Sequence, residues 1–256
     1  MKISYFKQVF AVSCALVTSG CANIVETKTI VSNSNEYMAE NFTPMQLAQP
    51  IRDVLNRGET YPKLFSKIDF TTTVETEDDK KISTITGKGT YTSLGNGYIQ
   101  SRIEFAKNDV PYRINLDLLY AGIQTLKFQS AYTNLKNAQN SYEVKEIVQF
   151  DRGVAKPKEG QSYVYFTKLG IQTQLSNLIE YRETCVAGNA IEASTLHASL
   201  TGQAIPLECT RTGTSGLVTG KNKYLWVEKV GVAFLTESTS SSAISRYKFN
   251  TFSITG

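Results

Sequence analysis

From Lys67 onward, polar and apolar residues alternate with a period of two. Ile68, Phe70, Thr72 and Val74 interleave with Asp69, Thr71, Thr73 and Glu75, the pattern of a strand with one buried and one wet face. Glu77, Asp78, Asp79 and Lys80 make a polar turn into a second strand over 82–92, where Gly87 and Gly89 predict a bulge or a sharp bend. Leu94, Gly95, Asn96 and Gly97 read as a hairpin because the central residues take positive φ without penalty. Ile99, Ser101, Ile103 and Phe105 share the next face, and Asn108 with Asp109 turns the chain. Ile114, Leu116, Leu118 and Tyr120 then face together, Ala121 and Gly122 follow, and strands over 125–133 and 142–151 continue the series. Short polar turns between consecutive strands specify an antiparallel meander.

Residues 151–162 are the most loop-like interior stretch and the candidate subdomain joint. Strands resume over 163–167, 172–186, 195–201, 204–212, 224–235 and 244–254, with a Ser/Thr hairpin tip at 238–242. The expected total is about eleven strands, with no repeat at a fixed period. Helical signals are confined to Thr43, Pro44, Met45 and Gln46, a capping box with proline at the first helical position. Pro50 interrupts that helix, Ile51, Val54 and Leu55 share its face, and Gly58 stops it. Residues 22–41 show little periodicity and read as a tether. The expected fold is mostly β: an antiparallel meander forming an open barrel or sandwich, with one short N-terminal helix. Fourteen Tyr and twelve Phe lean the same way, and the length suits one large β domain or two small ones.

The first 21 residues set an address. Lys2 and Lys7 supply positive charge ahead of an apolar run from Val9 to Val17. That run is too short to span a bilayer, which takes roughly 20 apolar residues. Thr18, Ser19 and Gly20 lead into Cys21, and this segment resembles the lipobox of bacterial lipoproteins, with Thr18 where that family most often has leucine. The resemblance implies that residues 1–20 are a signal peptide and that Cys21 becomes a diacylated, N-acylated (palmitate-type) amino terminus. It also implies an acylated terminus and tether over 21–42, and the strand pattern then makes 43–256 the β-rich domain. Ala22 after the cysteine, rather than Asp, implies the outer membrane, facing the periplasm or the cell surface. The competing reading is ordinary cleavage after Ala22, which gives a secreted protein without an anchor.

Cys14 leaves with the leader, and Cys21 is either lipidated or removed. Cys185 and Cys209 remain as one pair in an exported chain, which reads as a disulfide. Closing a loop of about 25 residues stabilises by about 3 kcal/mol in the chain-entropy model. Removing residues 1–20 takes away two lysines and no acids, leaving 25 basic against 23 acidic residues. Neither that balance nor any Lys/Arg-rich run supports nucleic-acid binding.

No catalytic set is legible. His197 is the single imidazole, flanked by Leu196 and Leu200 as an ordinary strand residue, and no base–nucleophile pair stands out. Zinc needs three or four converging ligands, and a disulfide removes both thiolates. Ser245 and Lys248 match a Ser-x-x-Lys pattern, but within a strand and without its companion motifs. Gly213 to Gly216 falls one residue short of a nucleophile elbow, and Gly216 to Lys221 fails the phosphate-loop spacing and reads as a hairpin loop. Glu180 and Glu183 lie on opposite faces of a strand. Tyr224, Trp226, Tyr247 and Phe249 suit core packing, with a ligand cavity as the alternative. Lys, Glu and Thr on both strand faces exclude an integral outer-membrane barrel.

The expected function is a non-catalytic cell-envelope lipoprotein acting as a binding or scaffolding module, without cofactor or metal. Its expected partners are the membrane through the anchor and an envelope protein or apolar ligand, with no nucleic acid. The alternatives are a carrier of lipid or another apolar ligand in a half-open β-barrel, and a hydrolase using carboxylates alone.

Overall fold

The computed structural model describes residues 25–256, so the leader and Cys21 lie outside the described residues. Three short helices come first: α1 (Thr27–Ser32), α2 (Ser34–Asn41) and α3 (Gln49–Leu55). Thirteen strands follow: β1 (Lys67–Asp78), β2 (Lys81–Gly95), β3 (Tyr98–Lys107), β4 (Val110–Tyr120), β5 (Gln124–Tyr132), β6 (Tyr142–Phe150), β7 (Ser162–Ile171), β8 (Ile179–Ala187), β9 (Ile191–Glu192), β10 (Gln203–Thr212), β11 (Val218–Val227), β12 (Val232–Thr239) and β13 (Ala243–Thr255).

The meander from β1 to β5 is built by turns whose central residues take positive φ. These are Asp79 with Lys80, Asn96 with Gly97, Asn108 with Asp109, and Ala121 with Gly122. Such turns carry the right-handed twist that paired strands need. Strands β13-β1-β2-β3-β4-β5 form one antiparallel run, and β6-β7-β8-β10-β11-β12 form another. The runs meet at both edges, so the antiparallel ring closes where an open barrel had been one expectation, and β9 adds to β10 beyond the end of β8.

Both meeting edges are thin. Between β5 and β6 the pairing is Lys127↔Glu143 and Phe128↔Tyr142 alone. Between β12 and β13 it runs only from Glu237↔Arg246 to Thr239↔Ile244. Each gap is covered by chain that is not part of the ring. At the first, α1 packs on β5 and α3 on β6. The Tyr37 hydroxyl donates to Gln129 Oε1 at 2.7 Å, and the Thr27 amide donates to the Lys136 carbonyl at 2.9 Å. At the second, His197 Nε2 meets the Asn250 carbonyl at 3.2 Å while Leu200 is buried with Phe234 and Phe249.

A third covering piece is the β4–β5 turn. Ala121, Gly122 and Ile123 are buried; the Ala121 amide donates to the Gly97 carbonyl at 2.7 Å, and the Ala233 amide on β12 donates to the Ala121 carbonyl at 3.0 Å. Strand β12 is thereby tied to a turn that lies across the ring from it. Gly122 holds φ +76°, and a Cβ there would stand 2.4 Å from the Ala233 carbonyl oxygen.

Several expectations are corrected. The part of the tether within 25–41 is helical, because Ile30, Ser34, Met38 and Phe42 recur every fourth residue and are buried. The helix expected over 43–57 is a 3₁₀ turn (Pro44–Gln46) followed by α3, and Thr43 makes no side-chain cap. Gly87 and Gly89 mark no bulge, since β1 and β2 pair without a shift. They are glycines because Thr72 and the Phe70 ring lie over them, with a Cβ on Gly89 only 2.2 Å from that ring. Residues 172–178 form a turn in which Gln174 bonds back to the Ile171 amide. Residues 195–201 are a 3₁₀ turn and loop. Residues 224–235 are a hairpin that turns at Gly231, and the expected hairpin loop at 216–221 is largely the start of β11. The candidate joint at 151–162 connects β6 and β7, which pair with each other along their length; the thin edges lie elsewhere. Cys185 and Cys209 form the expected disulfide, directly opposed on β8 and β10.

Gly122→Ala should destabilise the fold by about 2–4 kcal/mol, because the added methyl meets backbone and the residue is also strained in φ. Gly160, at φ +73° in open space, is the control for strain alone. Urea denaturation of both alanine variants checks this, and the Gly122 variant should lose clearly more stability than the Gly160 variant.

Candidate functional site

One face of β1, β2, β3, β4 and β13 lines a passage running along the strands. Near the β3–β4 turn it opens into a wide mouth of 750 Å3 bordered by Val74, Lys107, Tyr112, Arg113 and Ser245. Phe105 and Tyr247 are walls of both this mouth and a deeper chamber of 200 Å3. The chamber is lined by Phe70, Tyr91 and Phe249, with Tyr224 arriving from β11, and Gly122 and Ile123 of the crossing turn also line it. Beyond the turn, at the other end of the strands, lies a separate pocket of 350 Å3. Its walls include Leu64, Phe65, Ile99, Ile205, Trp226 and Val230, and its charged members are Lys156 and Lys158 with Glu59 and Glu228.

One acidic group belongs to the chamber. Asp117 sits mid-strand on β4, on the face shared with Asn115 and Leu119. The opposite face carries Leu116 and Leu118, so β4 is covered on both sides. Enclosure of the carboxyl pushes it up to about 7, and what surface it keeps is chamber wall. Among the described residues it makes no hydrogen bond or ion pair with another side chain. Tyr91, whose phenol is pushed up first by burial and then by the Asp117 charge, is its neighbour.

Glu183, on β8, is fully buried. It accepts a hydrogen bond from Asn222 Nδ2 at 3.1 Å, while its Oε2 lacks a partner. Burial raises its pKa, opposed by Arg211 and by the bonds from Asn222 and Tyr181. It is not among the chamber walls, so Glu183 and Asp117 do not both face that space. Glu183 also lies within 4.8 Å of Cys185 and Cys209, a spacing that suits a metal, but the two sulfurs are bonded to each other.

A third polar cluster is structural. The Arg152 guanidinium donates to the Tyr120 hydroxyl at 3.1 Å, to Asn96 Oδ1 at 3.2 Å and to the Arg57 carbonyl, tying four segments together at one end of the ring. The Tyr98 hydroxyl donates to Asn56 Oδ1 at 3.0 Å, and burial pushes this phenol up to about 12.

The residues singled out in the sequence fall into place unevenly. His197 Nδ1 accepts from Ser199 and its Nε2 faces a backbone carbonyl, so both ring nitrogens serve the loop. Ser245 bonds Thr76 at 2.9 Å, and Lys248 projects to the opposite face of β13. Tyr224, Tyr247 and Phe249 do line the chamber, and Trp226 lines the separate pocket. Asp117 was missed, because an acid between Leu116 and Leu118 reads as the wet position of a half-buried strand.

The Asp117 carboxyl makes folding pH-dependent. Its ordinary value is 3.8 and its folded value about 7, so between these the unfolded chain gives up its proton while the native state keeps it. The native state then binds more protons, and stability falls as pH rises through this window. Asp117→Asn should remove that component. Melting temperatures measured from pH 4 to pH 8 should show the variant gaining on the wild type as pH increases; a gap that does not widen would contradict the assignment.

No family model matches the chain, and no curated protein matches it. Among solved structures, it is similar to a DUF1329 family protein from Desulfovibrio piger, at 9% identity and a TM-score of 0.41 over 79% of this chain and 88% of that one. It is similar to a β-barrel-like protein of a domain of unknown function from Brucella abortus, at 12% identity and a TM-score of 0.45 over 76% and 100%. It is also similar to the hypothetical lipoprotein YmcC from Escherichia coli, at 12% identity and a TM-score of 0.35 over 81% and 96%.

Proposed function

We propose that the protein is a lipid-anchored cell-envelope binding protein that receives the apolar part of an amphipathic ligand in the Trp226 pocket. The observation that carries this reading is the pocket itself: 350 Å3, walled by aliphatic and aromatic side chains at one end of the ring. That volume lies within the range of small-molecule sites. A module that only scaffolds has no need of such a space. Two features narrow the chemistry. Trp226 is itself a wall of the pocket and offers an apolar ring face to a hydrocarbon, while its Nε1 is buried without an acceptor. Lys156 and Lys158 stand among the walls together with Glu59 and Glu228, so the pocket carries no net charge and its apolar walls select the ligand. Anchoring rests on Cys21 as the acylated terminus, since about two acyl chains already give stable attachment.

Trp226 is the single tryptophan, so the protein carries its own reporter. Titration with lauric acid should change its fluorescence saturably, and native mass spectrometry of protein from envelope extracts should show a co-purified lipid. A flat fluorescence titration together with ligand-free mass spectra would refute the carrier reading. Separately, Cys21→Ser should move the protein from the membrane to the soluble fraction; unchanged fractionation would refute the anchor.

A further inference from the structure

We propose that the chamber around Asp117 is a second binding site, on the far side of the crossing turn from the Trp226 pocket, and that it takes a small molecule bearing an ammonium group on an apolar or aromatic body. Four observations converge. The Asp117 side chain is half-buried, has no protein partner among the described residues, and turns the surface it keeps to a chamber rather than to packed core. A partly desolvated acid without a partner costs folding free energy, and such groups concentrate where a ligand uses them. The rings of Phe70, Tyr91, Phe105, Tyr224, Tyr247 and Phe249 surround the same space. Aromatic faces attract cations, most strongly where water is excluded, so rings and carboxylate select for the same charge.

Size and access set the remaining limits. At 200 Å3 the chamber is smaller than the roughly 300–1,000 Å3 of drug-sized sites, so it takes a small amine rather than a whole lipid. It is reached from the wide mouth along the shared walls Phe105 and Tyr247. Gly122 and Ile123 wall the chamber, and no residue lines both it and the Trp226 pocket, which makes the two sites separate. The charged and titratable groups facing this passage are Asp117, Tyr91, Tyr224 and Tyr247 in the chamber, and Lys107, Arg113 and Tyr112 at the mouth. Burial raises the Tyr224 pKa first, and Glu183, from outside the chamber wall, adds to it. Arg113 lies over the Phe105 ring at 4.4 Å and makes no ion pair among the described residues, so an acidic group elsewhere on the ligand would be tolerated at the rim.

Calorimetric titration of the purified protein with phenethylamine and with phenethyl alcohol, its neutral counterpart, tests this. At pH 8 the amine should bind at least about tenfold more tightly than the alcohol. The preference should collapse at pH 5.5, where Asp117 holds its proton. Asp117→Asn should abolish the preference while leaving alcohol binding in place, which also shows that the variant is folded. Equal binding of the two probes at pH 8, a preference that survives Asp117→Asn, or no heat from either probe would overturn the proposal. Lauric acid bound beforehand should not alter the amine's affinity, so the two sites stand or fall separately.

Discussion

Closure of the ring governs everything else in this structure. Twelve strands are more than a small core can fill, and the backbone pairing that should seal them nearly fails twice, at Lys127↔Glu143 and at Glu237↔Arg246. An unpaired strand edge exposes amides and carbonyls that must find partners or water. The chain meets this demand from outside the strands: helices at one opening, the His197 loop at the other, and the β4–β5 turn reaching over to β12. The last piece has the greatest reach: the bond from Ala233 to Ala121 ties β12 to a turn whose Gly122 and Ile123 wall the aromatic chamber, and that chamber shares no lining residue with the Trp226 pocket, a division of the internal space into two compartments.

That division explains how aromatic richness becomes ligand chemistry. Residues at alternate positions of β1, β2, β3 and β13 all point to one side, so Phe70, Tyr91, Phe105 and Phe249 meet around a common space. Packing them together requires small neighbours, and Gly89 beneath the Phe70 ring is one such concession. The buried phenols, the fully buried Glu183 and the half-buried Asp117 are consequences of a core too wide to be filled by hydrocarbon alone.

The alternating pattern made the fold class, the meander and the turns at Asn96, Asn108 and Gly122 legible, because period-two alternation and positive-φ residues are local properties. The Cys185–Cys209 bond was legible by elimination. The helices at 27–41 were not, because their buried face is Ile30, Ser34, Met38 and Phe42, of which only three are hydrophobic. The turn inside 224–235 was hidden by alternation that carries on through Glu228 and Lys229. Asp117 was hidden for a deeper reason: whether a polar strand position meets water or an internal space depends on which strands lie opposite, and that is set by closure far along the chain.

The cystine has a consequence of its own. It staples the base of the 24-residue excursion that carries the His197 loop, and that loop seals the gap between β12 and β13. A reduced chain would hold this cover by weak contacts alone, leaving the rim loose and the aromatic interior wet. The lid of the vessel is thus fastened by oxidation, and a finished interior awaits an environment that can supply it.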